Sequence, residues 1–187
     1  MRAKNKTRRV WDHCLGGYPG LQNTARKIME YIPASSIYVE PFAGLGRTVE
    51  FKHKKIICND LSNYAVSYLK SRYGMFSEIT ITQEDFKDCI KRWDSEETFF
   101  LIDPPWRYEM YNGLEKPICD RKPVEYYRIL LDIVDDIRGN WIICSDKVER
   151  EIKKSLTKSK WNCKVVQSDE KVIFGQYAST LICSNLF

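Results

Sequence analysis

Histidine is almost missing from this chain of 187 residues: only His13 and His53 occur, and no two cysteines form a C-x-x-C pair. A zinc site therefore has little to build on, and none is expected. The seven cysteines (14, 58, 89, 119, 144, 163 and 183) are odd in number and widely spaced, unlike a disulfide framework. Cys58, Cys144 and Cys183 stand in the apolar runs KKIICND, WIICSD and TLICSN, where a free thiol packs as a small core residue. A reducing compartment is expected. No run approaches the roughly 18 apolar residues of a membrane span, so no membrane association is expected. The basic start, MRAKNKTRRV, leads into no apolar segment of the secretory kind, which makes the cytoplasm the expected location. Repeats, low-complexity stretches and long linkers are absent too, and residues 1–187 read as a single domain.

What is present is a folded, basic chain. Apolar residues make up 43% and aromatic residues 13%, enough to build a core and too much for a disordered polymer. The net charge of +5 sits in residues 1–10, a tail with five Lys or Arg and no acid. A second basic stretch, 146–164, has seven Lys or Arg against three acids. Each fits either a solvated surface or a phosphate-contacting one.

Strand-like runs recur at 36–40, 54–58, 78–82, 98–102, 140–145, 161–166 and 178–184. Helix-length segments lie at 24–32, 47–52, 63–73 and 123–138, the last with apolar residues at helical period behind Pro123. Continuous apolar strands alternating with helices predict an α/β fold with a doubly wound, mostly parallel seven-stranded sheet. The last two strands have no crossover helix between them, so one antiparallel strand is expected near the C-terminus.

Ligands of such sheets bind beyond the carboxyl ends of the strands. The first strand ends in EPFAGLGRT (40–48), where Gly44 and Gly46 allow a tight turn and close backbone approach to a ligand. The loop lacks the third glycine of a dinucleotide fingerprint and the lysine of a P-loop, which argues against a pyrophosphate. The second strand ends at Asp60, which fits either a ribose-binding acid or the cap of the next helix. After the third strand, Asp85 and Phe86 suit an adenine amino group and ring, although taken alone they read first as a polar turn with a core phenylalanine. The fourth strand, TFFLI, runs into Asp103-Pro104-Pro105-Trp106. A run of Asp, Asn or Ser, two prolines and an aromatic arises by chance in about one chain in 200 of this length.

Taken together, YVEPFAGLGRT, ICNDLS, EDF and FFLIDPPW resemble the Dam-type adenine-N6 DNA methyltransferases, whose motifs read close to EPF-x-G and DPPY or DPPW. That resemblance runs from about Tyr18 to the C-terminal strands and implies a Rossmann-like methyltransferase fold. It implies S-adenosylmethionine as cofactor, held by Tyr18, Glu40, Pro41, Phe42, Gly44, Gly46, Asp60, Asp85 and Phe86. It implies a catalytic Asp103-Pro104-Pro105-Trp106 acting on the exocyclic amine of adenine in DNA. In that chemistry the Asp103 carboxylate and the Pro104 carbonyl accept the two N–H bonds, and Trp106 stacks on an extruded base.

Two departures stand out. The W/Y-x-G-G-K motif of that family is matched by Tyr18-Pro19-Gly20-Leu21-Gln22, without its lysine, leaving Lys27 or the basic tail as replacements. The target-recognition insert between the EDF-like and DPPY-like motifs is also absent. Target contact is then expected from the 107–123 loop, where Tyr108 and Tyr111 are interleaved with Arg107, Lys116, Arg121 and Lys122. An accessory subunit that reads the target fits the same absence. The same motif also suits RNA adenine, and a non-catalytic nucleic-acid-binding partner subunit is a further alternative.

Overall fold

The computed structural model describes residues 26–49, 53–104, 123–146, 161–171 and 177–186. Seven strands form one sheet: β1 (Ile37–Glu40), β2 (Lys55–Asn59), β3 (Ile79–Thr82), β4 (Thr98–Ile102), β5 (Asn140–Asp146), β6 (Asn162–Lys171) and β7 (Tyr177–Ser184). Their spatial order is β3-β2-β1-β4-β5-β7-β6. Strands β1 to β5 pair in parallel, while β7 runs antiparallel to both β5 and β6. The predicted doubly wound sheet with one reversed strand is therefore what the chain forms.

The pleat sorts the core into two layers. Val39, Ile57, Phe100, Ile102 and Ile143 face one side, against α2 (Phe86–Trp93) and α3 (Pro123–Asp135). Tyr38, Ile56, Cys58, Phe99, Leu101 and Ile142 face the other, against α1 (Asn63–Tyr73) and the helical turn at 26–29. All five residues of β4 are buried, as a central parallel strand covered on both faces requires. No described helix is long and apolar enough to cross a membrane.

Four expectations need correction. The described part of the 47–52 segment, residues 47–49, is turn and coil, because the backbone reverses at Gly46 and Thr48 is tied back to Glu40. The 86–93 helix was not anticipated, although Phe86, Cys89, Ile90 and Trp93 stand at helical period in its eight residues; Asp85 starts it by accepting the Lys87 N–H at 2.9 Å. The cap of α1 is Ser62, which accepts from Ala65 N–H, and not Asp60. Finally, Cys183 is disulfide-bonded to Cys163 and is no free core thiol. Strand register sets these two directly opposite each other, with Cα atoms 4.1 Å apart, a proximity that a sequence separation of 20 conceals. Cys58, Cys89 and Cys144 are free and buried.

One side chain ties three strand ends together. Asn59, fully buried, donates from Nδ2 to the Pro41 and Glu84 carbonyls, both at 3.0 Å. Its Oδ1 accepts from Thr82 Oγ1 at 2.8 Å and from Glu84 N–H at 3.0 Å. Both protons and both lone pairs of the amide are thus used, across the ends of β1, β2 and β3. Truncation would leave several buried partners unsatisfied, so Asn59→Ala should cost at least about 3 kcal/mol, at roughly 1 kcal/mol or more per lost bond. Urea unfolding checks this; a variant within 1 kcal/mol of wild type, roughly a single bond's worth, would refute the cross-link.

Candidate functional site at the carboxyl edge of the sheet

From β1 the chain steps outward to β2 and β3, then returns to the opposite side of β1 as β4. The crevice above β1 and β4 is thus the switch point of the sheet, where ligands of such folds bind. The carboxyl ends that meet there carry Glu40 on β1, Asp60 after β2, Asp85 after β3 and Asp103 after β4.

The loop after β1 is shaped by its glycines. Gly44 and Gly46 have φ of 52° and 61°, in the left-handed region that side chains disfavour. A Cβ on Gly46 would also meet Leu69 Cδ2 and Tyr73 Cε2 at 2.9 Å. The Tyr73 hydroxyl donates to the Gly46 carbonyl at 2.8 Å, and Ala43 N–H donates to the Asn59 carbonyl at 2.8 Å. The loop is pinned on both sides before any ligand arrives.

Asp60 extends this anchoring. Its Oδ2 accepts from Gly44 N–H and its Oδ1 from Ser62 N–H, both at 2.9 Å. Burial pushes its carboxyl upward, and the N–H groups of Ser62, Gly44 and Leu61 oppose that rise. A carboxylate has about four lone-pair sites, so capacity for ribose hydroxyls remains. Pro41 lends its carbonyl to Asn59, while half-buried Phe42 packs on Phe86 with ring centroids 5.2 Å apart. Phe86 itself is buried in the α2 layer of the core. Of its two readings, the core phenylalanine is the one observed, and Phe42 is the more exposed of the pair. Asp85 caps α2 and lies 3.8 Å from the Lys87 ammonium.

Glu40 is the unusual member, only 3% exposed. Its Oε1 accepts from the Tyr38 hydroxyl at 2.7 Å and from Thr48 Oγ1 at 2.6 Å. Tyr38 and Glu40 lie two apart on β1 and so share a face of the sheet. Burial lifts the Glu40 carboxyl to about 7; the Thr48 and Tyr38 bonds oppose this and the charge of Asp103 adds to it. Asp103 is exposed at the mouth of the otherwise buried β4, and Pro104 beside it is buried. An acid held in water next to a fixed, proline-bounded backbone carbonyl is suited to accepting hydrogen bonds from a ligand amine.

The structure thus brings together Glu40, Pro41, Phe42, Gly44, Gly46, Asp60, Asp85, Asp103 and Pro104, with Phe86 beneath them. Tyr18, Pro105, Trp106, Arg107, Tyr108, Tyr111, Lys116, Arg121 and Lys122 lie outside the described residues, as do the 1–10 tail and most of 146–164. Sequence reasoning passed over Asn59 and Thr48. The first was signalled by a polar residue closing an apolar strand; nothing short of the folded loop pairs the second with Glu40.

No protein-family model and no curated protein matches the chain in sequence. Solved structures do match it in shape. An rRNA methylase from Streptococcus thermophilus aligns at 13% identity over 86% of this chain and 92% of that one, with a TM-score of 0.57. Magnesium protoporphyrin IX methyltransferase from Synechocystis, solved with S-adenosylmethionine, aligns at 10% identity over 88% and 79%, with a TM-score of 0.57. Precorrin 8w decarboxylase from Methanobacterium thermoautotrophicum aligns at 14% identity over 86% and 87%, with a TM-score of 0.52. The shared feature is the seven-stranded Rossmann-like methyltransferase fold.

The buried Glu40 couples this edge to pH. A carboxyl at about 7 in the folded chain and 4.5 ordinarily makes the native state bind the extra proton between those values. Its stabilising contribution is complete below pH 4.5 and is lost as pH rises through about 7. The loss should approach about 3 kcal/mol, at roughly 1.4 kcal/mol per unit. Glu40→Gln should remove most of this slope in denaturant midpoints measured from pH 5 to 8, leaving the part due to Asp60. An unchanged slope in a folded variant would show that Glu40 is ionised throughout.

Proposed function

We propose that this protein is an S-adenosylmethionine-dependent methyltransferase of the Dam type, acting on the exocyclic N6 amine of adenine in DNA. The observation that carries the proposal is the placement of Asp103-Pro104 at the end of β4, beside the glycine loop of β1, at the switch point of the sheet. The residues present fit the cofactor: a loop with two left-handed glycines admits close backbone approach, and Asp60 at the end of β2 retains acceptor capacity for a ribose. Bound S-adenosylmethionine supplies an electrophilic methyl group on a sulfonium.

The chain's own task is to ready the nucleophile. The lone pair of an adenine amine is delocalised into the ring, which makes it a weak attacker. Asp103 accepts one N–H and the Pro104 carbonyl the other, drawing the nitrogen toward a tetrahedral shape. Pro104 is buried, so its carbonyl keeps its direction and little reorganisation is needed. Trp106 offers the extruded base a stacking face. No nucleophilic side chain takes part.

The connection from β3 to β4 supports a further property. Between Thr82 and Thr98 the chain holds only α2 and its flanking turns, leaving no room for a site-reading module. Affinity for nucleic acid then comes from phosphate contacts by the basic tail, the 107–123 loop and the 146–164 stretch, and is largely independent of sequence. Binding should weaken with salt by a log–log slope of about −0.9 for each phosphate neutralised on a duplex. Deleting residues 1–9 should flatten that slope and leave cofactor affinity intact. Salt-insensitive nanomolar binding to one site of four or more bases would refute this view.

The decisive experiment incubates the chain with labelled cofactor and either DNA or RNA oligonucleotides, then identifies the modified nucleoside by mass spectrometry. N6-methyladenine in DNA is expected; label in RNA alone would move the substrate to RNA. Asp103→Ala should abolish transfer while calorimetry shows unchanged cofactor affinity. Full turnover by that variant would overturn the mechanism.

A further inference from the structure

The described cysteines fall into two kinds. Cys58, Cys89 and Cys144 are free and buried. Burial raises all three thiols, to about 12 for Cys89, so they hold almost no thiolate at neutral pH and take little part in exchange. Cys163 and Cys183 are bonded to each other, and their surroundings differ. Cys183, on β7, is fully buried. Cys163, on the edge strand β6, is only half-buried, which makes it the point of approach for a small thiol or disulfide.

Register, and not the bond, aligns the pair. Strands β6 and β7 match residue by residue from Asn162 opposite Ser184 to Gln167 opposite Ser179, with Cys163 opposite Cys183. The start of β6 has a second anchor. Trp161 donates from its indole N–H to Asp135, at the end of α3, at 3.0 Å, and its ring stands edge-on to Trp141 of β5. Pairing on both sides of the cysteines and this anchor keep the two sulfurs facing each other after reduction. The bond can therefore open and close without unfolding the sheet. Because β6 pairs with β7 alone, the bond also decides how firmly the edge strand is held.

We propose that Cys163 and Cys183 form a reversible dithiol–disulfide site, closed by a small-molecule disulfide of the glutathione type, which locks β6 onto the sheet. The Cys163 thiolate attacks one sulfur of that disulfide, expels a thiolate and is left as a mixed disulfide. The Cys183 thiolate then attacks the Cys163 sulfur and expels the second thiolate. The two cysteine thiols lose two protons and two electrons, and the small disulfide takes them up to become two thiols.

The test equilibrates the whole chain in mixtures of reduced and oxidised glutathione, quenches in acid, and counts thiols by alkylation and mass spectrometry after denaturation. All seven cysteines should be alkylated at the reducing end. Two fewer should be alkylated at the oxidising end, where a peptide joining Cys163 to Cys183 appears. The oxidised chain should melt about 5–10 °C above the reduced one, the span expected for closing a loop of this length. Amide exchange in β6 should slow on oxidation, while β1 and β4 stay unchanged. Cys163→Ser and Cys183→Ser should each lose this redox-dependent shift. Full alkylation of wild type at every glutathione ratio overturns the proposal, whether or not the variants fold. So does a bond that survives excess dithiothreitol in the folded chain, or a crosslink through Cys14 or Cys119 in place of this pair. Bond formation with no change in melting or in β6 exchange overturns the locking of the strand.

Discussion

Everything at the carboxyl edge depends on the amide of Asn59. Parallel strands end in carbonyls and N–H groups that no further ladder satisfies, and at a ligand crevice those groups cannot all be left to water. One amide, with all four of its hydrogen-bonding positions in use, holds the Pro41 carbonyl, both backbone groups of Glu84 and the Thr82 hydroxyl. The glycine loop, the Asp60 turn and the start of α2 then occupy fixed positions relative to one another. Asp60 adds a second brace by bonding the Gly44 and Ser62 N–H groups. Rigid strand ends let a flexible glycine loop become a defined cradle.

Upon that frame sits an electrostatic arrangement weighted toward acid. Glu40 and Asp103 end neighbouring strands, one sealed from water and the other in it. Their difference in environment separates their behaviour: burial lifts Glu40 toward neutral pH, and the charge of Asp103 lifts it further. Such a crevice favours ligands that bring positive charge.

Much of this could be read from the residues, for identifiable reasons. The strands were legible because a parallel sheet buried on both faces demands unbroken apolar runs such as TFFLI, and the reversed β7 followed from the missing crossover helix. Gly44, Gly46, Asp60 and Asp103 were legible because each stands directly after such a run. What escaped were features that depend on distant register. The Cys163–Cys183 pair exists only because β6 and β7 align those positions. The α2 helix is only eight residues long, and its apolar Phe86, Cys89, Ile90 and Trp93, though at helical period, were passed over; the 47–49 turn is set by Gly46 and the Glu40 bond, which the run itself does not show. Phe86 showed that aromatic character alone does not separate a ring facing a ligand from one facing the core.

The position of β7 has a consequence for how the chain comes into being. It is made after β6, yet it lies between β5 and β6 and pairs with both. During synthesis β6 therefore emerges with no neighbour to join, and β5 waits with one edge bare. Exposed strand edges of that kind invite pairing with other chains. The sheet closes only when β7 slides into the gap between β5 and β6, so completion of the fold waits on that strand.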